Sequence, residues 1–183
     1  MQSSTHPESP LLRSLLILAL ILIAAALRVA PHPWNFTPVG AMALFSGAVI
    51  RDRRLAFILP VLAMAAGDVF VGFNILTPLV YASFLLSVAI GRFLYEKRSV
   101  ARIGGATLLG AVQFFVITNF GDWAFLGSYP HTAAGLLACY ISGVPFFWNT
   151  LAGDALYATL LFGAFALVEQ LVPAAQARTC GRV

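Results

Sequence analysis

Two acidic side chains, Asp68 and Asp154, stand in stretches of sequence that are otherwise apolar. Asp68 is in LAMAAGDVFVGF (62–73), and Asp154 is in WNTLAGDALYATLLFG (148–163). A charged aspartate at the centre of a membrane helix costs about 2.5–3.5 kcal/mol on insertion scales, so it normally faces a bundle interior or a wet cavity. There the two carboxylates could contact a solute or carry a proton. They could also act structurally, by accepting hydrogen bonds from Asn, Thr or Tyr groups or by capping a broken helix.

Each aspartate ends an Ala-Gly-Asp triplet, at 66–68 and 152–154. Small residues before the acid allow a neighbouring helix or a ligand to approach closely. The residues that flank the two triplets do not extend the similarity into a clear internal repeat.

Enzyme chemistry fits the same residues less well. Asp68 and Asp154 could form a carboxylate dyad, as in intramembrane aspartyl proteases, but AAGD and LAGD match such sites poorly. His32, His131 and Asp122 could bind a metal, although their spacing is not diagnostic. The sequence contains no Walker loop and no dinucleotide fingerprint. We therefore predict that the protein is not an enzyme and has no metal or cofactor.

The composition decides the solvent in which these residues must be positioned. Hydrophobic residues make up 60% of the 183 residues and charged residues 10%, whereas a soluble domain has roughly 25% charged residues. The chain must therefore lie in the bilayer, which only helices or a closed barrel can span. The apolar runs are long and do not alternate with period two, which argues against a barrel. The prediction is an all-α integral membrane protein, a bundle of about six transmembrane helices.

The apolar runs give the spans of this bundle. They cover residues 11–30, 36–50, 55–73, 78–95, 103–120 and about 149–171, which form one transmembrane domain (11–172) between tails at 1–10 and 173–183.

Two details concern the ends and breaks of these spans. Thr37 followed by Pro38 predicts the start of the second helix, with a hydroxyl cap and a proline in the first turn. The segment 132–172 is too long for one simple span, and Pro145 divides it. We expect a short segment that dips or lies at the surface, followed by the sixth span. A tight hairpin of two spans is the alternative.

The basic residues predict the orientation. Ten of the eleven fall on one side of a six-span arrangement, and only Arg28 falls on the other. The positive-inside rule then places both termini in the cytoplasm of a bacterium, with the chain in its inner membrane. The ten are Arg13, Arg51, Arg53, Arg54, Arg92, Lys97, Arg98, Arg102, Arg178 and Arg182. Their loops lack the interleaved aromatic residues of a nucleic-acid site, so no nucleic-acid partner is expected.

The outer side then collects polar and aromatic residues of the kind that line a small-molecule pocket. Asp68 and Asp154 would each lie five residues from an outer helix end, about 7–8 Å below the surface. An aromatic belt is the simpler interpretation of the tryptophans, but a belt forms at both interfaces and all three tryptophans fall at this one. Arg28 could pair with one of the acids or with an anionic solute group. The predicted pocket comprises Trp34, Asn35, Asp68, Asn74, Asn119, Trp123, Tyr129, Asn149 and Asp154.

Residues 35–73, NFTPVGAMALFSGAVIRDRRLAFILPVLAMAAGDVFVGF, resemble the front half of substrate-binding S components of energy-coupling-factor (ECF) vitamin transporters. They resemble more closely an uncharacterised bacterial family of membrane transport proteins that share the opening NFTPVG. GDVFVG (67–72) matches the end of that family's third helix, and PFFWNTLAGDALY (145–157) resembles its last helix. The resemblance covers most of 28–165. It implies six helices, cytoplasmic termini and a pocket closed by the outer loops.

The resemblance also bears on partners. S components often dock on the coupling subunit through Ala-x-x-x-Ala in their first helix. Here that pattern, at 26–30, lies at the outer end of the helix and contains Arg28. The expected partners are the bilayer and a small solute. This departure puts an ECF-type coupling subunit and its ATPases in doubt as further partners.

The function predicted is that of a substrate-binding transport protein, which takes up a small solute of the vitamin or micronutrient class from the outer side. One alternative is a non-transporting scaffold or assembly protein of the membrane, with its carboxylates buried in helix contacts. The other is an intramembrane carboxylate enzyme, with the two acids within a few ångströms of each other.

Overall fold

The computed structural model describes residues 10–28 and 33–180, and side chains within that part except those of residues 10–13, 71 and 171–180. Every regular element in this part of the chain is helical, which confirms the all-α prediction. A π-helical turn, Asp122–Leu126, prolongs the fifth helix. The helices are α1 (Pro10–Leu27), α2 (Val39–Val49), α3 (Arg53–Val71), α4 (Thr77–Arg92), α5 (Val100–Gly121) and α6 (Ala133–Cys180).

Two of these helices are long and apolar enough to cross a membrane. They are α5 with its π-helical turn, Val100–Leu126, and the Ala133–Gln170 part of α6. A span of a hydrocarbon core about 30 Å thick takes about 20 residues, and these segments have 27 and 38. Shorter apolar helices accompany them at Ser14–Leu27, Val39–Val49 and Thr77–Arg92.

The long helix α6 corrects one prediction. Pro145 does not divide residues 132–172, and neither a dipping segment nor a hairpin forms, because α6 runs unbroken for 48 residues. A proline removes one helical hydrogen bond, but packing against a neighbouring helix makes this tolerable in apolar surroundings. α5 supplies such packing on both sides of Pro145, since the Phe115 ring contacts Tyr140 at 5.5 Å and Phe147 at 5.3 Å between centroids. The helix also continues past the predicted boundary of the tail at residue 173.

The short helix α2 lies at the centre of the bundle. All of its residues except Gly40 are buried, as expected of a helix that is apolar on every side. The Phe45 ring packs edge-on against Phe162 and Phe165 of α6, with centroids 5.2 and 5.6 Å apart. The Ser46 hydroxyl donates to the carbonyl oxygen of Ala56 in α3 at 2.7 Å. With 11 residues, α2 is about 16 Å long, about half of a bilayer core.

Residues from other helices hold both ends of α2. Its last carbonyls accept from the Arg92 guanidinium of α4, at 2.6 Å from Ile50 and 3.2 Å from Gly47, and a cation is favourable at a helix C-terminus. At the other end the prediction of Thr37 as the cap is wrong. The helix begins at Val39, with Pro38 as its N-cap and no side-chain hydrogen bond from that cap. The acceptor for the first turn comes instead from α6.

Candidate functional site

Asp68 lies in an ion pair at the point where three helices meet. Its carboxylate accepts from the guanidinium of Arg28, directly after α1, and from the hydroxyl of Tyr81 in α4 at 2.7 Å. Asp68 is buried, with 4% of its side chain exposed, and Arg28 is half-buried, with 15% exposed. Arg28, expected to pair with one of the acids or with a solute, thus pairs with Asp68.

The glycine of the first triplet makes room for this pair. A methyl group on Gly67 would lie 3.2 Å from Cδ of Arg28, so the arginine side chain crosses α3 directly above that glycine. The small residue therefore admits the partner that the next residue, Asp68, binds.

Asp154 has a different kind of partner. Its Oδ1 accepts from the backbone N–H of Ala41 at 3.0 Å, and Ala41 is the third residue of α2. A carboxylate there satisfies a free N–H and faces the positive end of the helix dipole. Asp154 of α6 therefore caps α2 from a neighbouring helix. Gly40 is required for this contact, because a methyl group on it would overlap both carboxylate oxygens.

The glycine of the second triplet also lies at a close crossing, here with backbone. A methyl group on Gly153 would lie 3.3 Å from both Cα of Phe36 and the backbone nitrogen of Thr37. Nearby, the Asn149 side-chain amide donates to the carbonyl oxygen of Trp34 at 3.0 Å. The segment 33–38 therefore runs along α6 and delivers the start of α2 to Asp154.

A cavity of about 180 Å³ lies between these elements. This is room for about six water molecules at about 30 Å³ each, and less than the roughly 300–1,000 Å³ of sites for drug-sized ligands. Part of its wall is apolar and includes Val80, Phe84 and Phe114. Gly40 and Gly110 also line it, and the polar side chains on the wall are those of Arg28, Asn35, Thr37, Ser87, Thr150 and Asp154.

Two of the predicted pocket residues, Asn35 and Asp154, are on this wall. Asn35 adopts the left-handed conformation with φ of 61°, which asparagine tolerates better than most residues. Asp68 adjoins the cavity through its partner Arg28. Asp154 therefore lines the cavity itself, whereas Asp68 lies behind Arg28, which lines it. The hydrogen bonds of the two acids go to different helices.

Other predicted residues stabilise connections between helices. The Asn74 side chain accepts from the backbone of Leu76 at 2.8 Å at the start of α4. Asn119 donates to Phe115 within α5 at 2.8 Å, and the Trp123 indole donates to the Pro130 carbonyl at 2.9 Å. The half-buried Tyr129 lies in the same α5–α6 connection. These residues were predicted to join the acids because they fall on the same side of the membrane. The structure instead places Asn74 before α4, Asn119 within α5 and Trp123 and Tyr129 between α5 and α6, and none of them lines the cavity.

The histidines considered as metal ligands do not lie together with acids in the described part of the chain. His32 lies outside the described residues. The His131 ring packs against Trp123, 5.3 Å between centroids, and Asp122 faces the thiol of Cys139 at 3.7 Å. Within residues 10–28 and 33–180, no three His, Cys, Asp or Glu side chains group as metal ligands would.

The reasoning from sequence missed the small polar residues of the cavity. Thr37, Ser87 and Thr150 line it, and Gln113 of α5 donates to the Ser87 hydroxyl at 3.0 Å. One signal was available, since Val80, Phe84 and Ser87 follow the i, i+4, i+7 spacing of a single helix face.

In the described residues, fold and site together define a helical protein with apolar helices of membrane-spanning length and a cavity that has both apolar and polar walls. The chain belongs to DUF6580, a family of unknown function whose match covers residues 8–175. Neither the curated proteins nor the solved structures contain a significant match to it.

Proposed function

We propose that this chain is a multi-pass protein of the bacterial inner membrane that binds a small solute, taken from the outer side, in the cavity between Arg28 and Asp154. Six membrane crossings with cytoplasmic termini belong to this proposal, the second being made by α2 together with the irregular segment 33–38 before it. The two helices of spanning length, the shorter apolar helices and the one-sided distribution of basic residues support it.

The observation that carries the proposal is the half-helix α2 and its surroundings. Its N-terminus lies beside a cavity lined partly by polar side chains, and the connection before it is irregular backbone packed on α6. Within a membrane, irregular backbone is tolerated where protein buries it or where it lines a cavity. Transporters commonly build their binding sites from such broken helices near the bilayer midplane.

The cavity volume limits the solute. At about 180 Å³ it suits a molecule of a few non-hydrogen atoms, at the small end of the micronutrient class. The likeness to ECF S components adds a possible coupling subunit with ATPases, and the sequence pattern at 35–73 is its only basis.

One observation favours a second function, that of a membrane scaffold. Both carboxylates are buried and bonded to other segments, Asp68 to Arg28 after α1 and to Tyr81 of α4, and Asp154 to α2. A scaffold needs these bonds and makes no use of the cavity.

A cavity-filling pair of variants separates the two functions. Gly110 lines the cavity, whereas a side chain on Gly105, in the same helix, meets nothing within 4 Å. Purified wild-type protein, Gly110→Leu and Gly105→Leu are compared by native mass spectrometry of co-purifying small molecules and by thermal stabilisation with a panel of small solutes. We expect wild type and Gly105→Leu to bind a solute and Gly110→Leu to lose it. Equal behaviour of folded Gly110→Leu and wild type would contradict solute binding in the cavity.

A further inference from the structure

Two charged side chains, Arg28 and Asp154, lie on the cavity wall, and they differ in how their charges are balanced. Arg28 is paired with Asp68, so these two charges cancel. Asp154 accepts from the neutral N–H of Ala41, and no ion pair joins it to a Lys, Arg or His within the described residues. Among the described residues, no side-chain cation therefore balances the Asp154 carboxylate when it is ionised.

The helix dipole offsets part of this charge. An N-terminus contributes roughly half an elementary charge, and α2 presents its N-terminus to Asp154. When Asp154 is ionised, about half of its charge is left for a ligand to balance. An anionic solute would meet Asp154 and an arginine that already has a partner, and would be repelled.

The neutral part of the wall also suits a cation. Phe84 and Phe114 both line the cavity, with their rings stacked 5.2 Å apart, and aromatic faces attract cations in desolvated sites. The side chains of Asn35, Thr37, Ser87 and Thr150 carry oxygen atoms that can accept from an ammonium group.

We infer that the cavity takes a small organic ammonium ion whose charge faces Asp154. This inference rests on the proposed solute-binding function and specifies the chemical class of the solute. The ammonium is held between the carboxylate and the oxygen acceptors, and its hydrocarbon part contacts Phe84 and Phe114.

The test uses three probes of nearly equal shape: n-butylammonium, n-butanol and n-butanoate. Each is titrated into full-length protein in lipid nanodiscs, and binding is measured by ligand-observed NMR at constant ionic strength. We expect n-butylammonium to bind at least tenfold more tightly than the other two. Asp154→Asn should reduce its affinity at least tenfold, while Asp52→Asn, which removes an exposed carboxylate at the start of α3, should leave it unchanged.

The ranking of the probes by wild-type protein decides the inference even if Asp154→Asn does not fold. Preference for butanoate or butanol, lost in Gly110→Leu, would overturn the cationic class and leave solute binding intact. The same ammonium affinity in folded Asp154→Asn and wild type would also overturn it. Failure of all three probes, together with no co-purifying solute, would overturn the proposed function as well.

Discussion

The two Ala-Gly-Asp triplets of this protein have the same three residues and opposite electrostatic situations. At 66–68, the glycine admits the arginine side chain that neutralises the following aspartate. At 152–154, the glycine admits backbone, and the following aspartate binds an N–H that carries no formal charge. In both triplets the glycine lets another part of the chain approach the helix closely, and the aspartate that follows accepts a hydrogen bond. The group that approaches decides the role of the aspartate.

This contrast gives the first triplet a structural role, as part of a stabilising ion pair, and makes the second a candidate ligand site. A buried ion pair loses most when one partner is removed, because the other charge is then left uncompensated. A carboxylate that caps a helix can be replaced by an amide with little loss, since Asn and Asp are similarly good caps.

The largest expected effect separates the two acids directly. Asp68→Asn removes the carboxylate that neutralises the Arg28 guanidinium and should lower the free energy of unfolding by about 3–5 kcal/mol. Asp154→Asn keeps an acceptor for Ala41 and should lower it by less than about 1 kcal/mol. Unfolding in mixed detergent micelles, followed by circular dichroism, measures both values.

A charge-free pair serves as the control for this experiment. The double variant Arg28→Met/Asp68→Leu should recover most of the lost stability, because apolar replacement of both partners of a buried pair is often neutral. An equal decrease in the free energy of unfolding in Asp68→Asn and Asp154→Asn would refute the division into a structural ion pair and a candidate ligand site.

A smaller effect is expected at Gly40, which the second acid requires. Gly40→Ala places a methyl group on the Asp154 carboxylate and should lower the free energy of unfolding by about 1–3 kcal/mol, the usual range for overpacking. The same substitution at Gly105, where the space is open, should raise it by about 0.5–1 kcal/mol.

The mechanism at Gly40 can be checked by a double-mutant cycle. In an Asp154→Ala background the methyl group no longer meets a carboxylate, so the cost of Gly40→Ala should fall. Additive costs would show that the carboxylate is not the cause.

The smallest expected difference compares the glycines of the two triplets. Gly153→Ala presses on the backbone of Phe36 and Thr37, at 3.3 Å, and should cost about 1 kcal/mol. Gly67→Ala presses on the flexible side chain of Arg28, at 3.2 Å, which can move aside. Its cost should be offset by the helix preference of alanine over glycine, about 0.5–1 kcal/mol. The same unfolding assay applies, and a costlier Gly67→Ala would reverse the ranking.

Much of the architecture was accessible from the sequence, and one element was not. Long apolar runs predicted the helices. The free energy cost of a charge facing lipid predicted that Asp68 and Asp154 point inward, and both are buried. Pro145 misled the prediction for 132–172, because the local rule for proline takes no account of the packing that α5 provides. Loop residues such as Asn74 were placed in the pocket only because they fall on the same side of the membrane as the acids. Lying on the same side does not bring separate loops into contact.

The sequence by itself determined that this chain is helical, that its helices are strongly apolar, and that two acids within them must find polar partners. These properties follow from composition, periodicity and the free energy of burying a charge. Only the tertiary structure decided which partners they found, since Arg28 is 40 residues from Asp68 and Ala41 is 113 residues from Asp154 along the chain. Contacts at such separations depend on how the helices pack, and this packing pairs one acid with an arginine and the other with a backbone N–H.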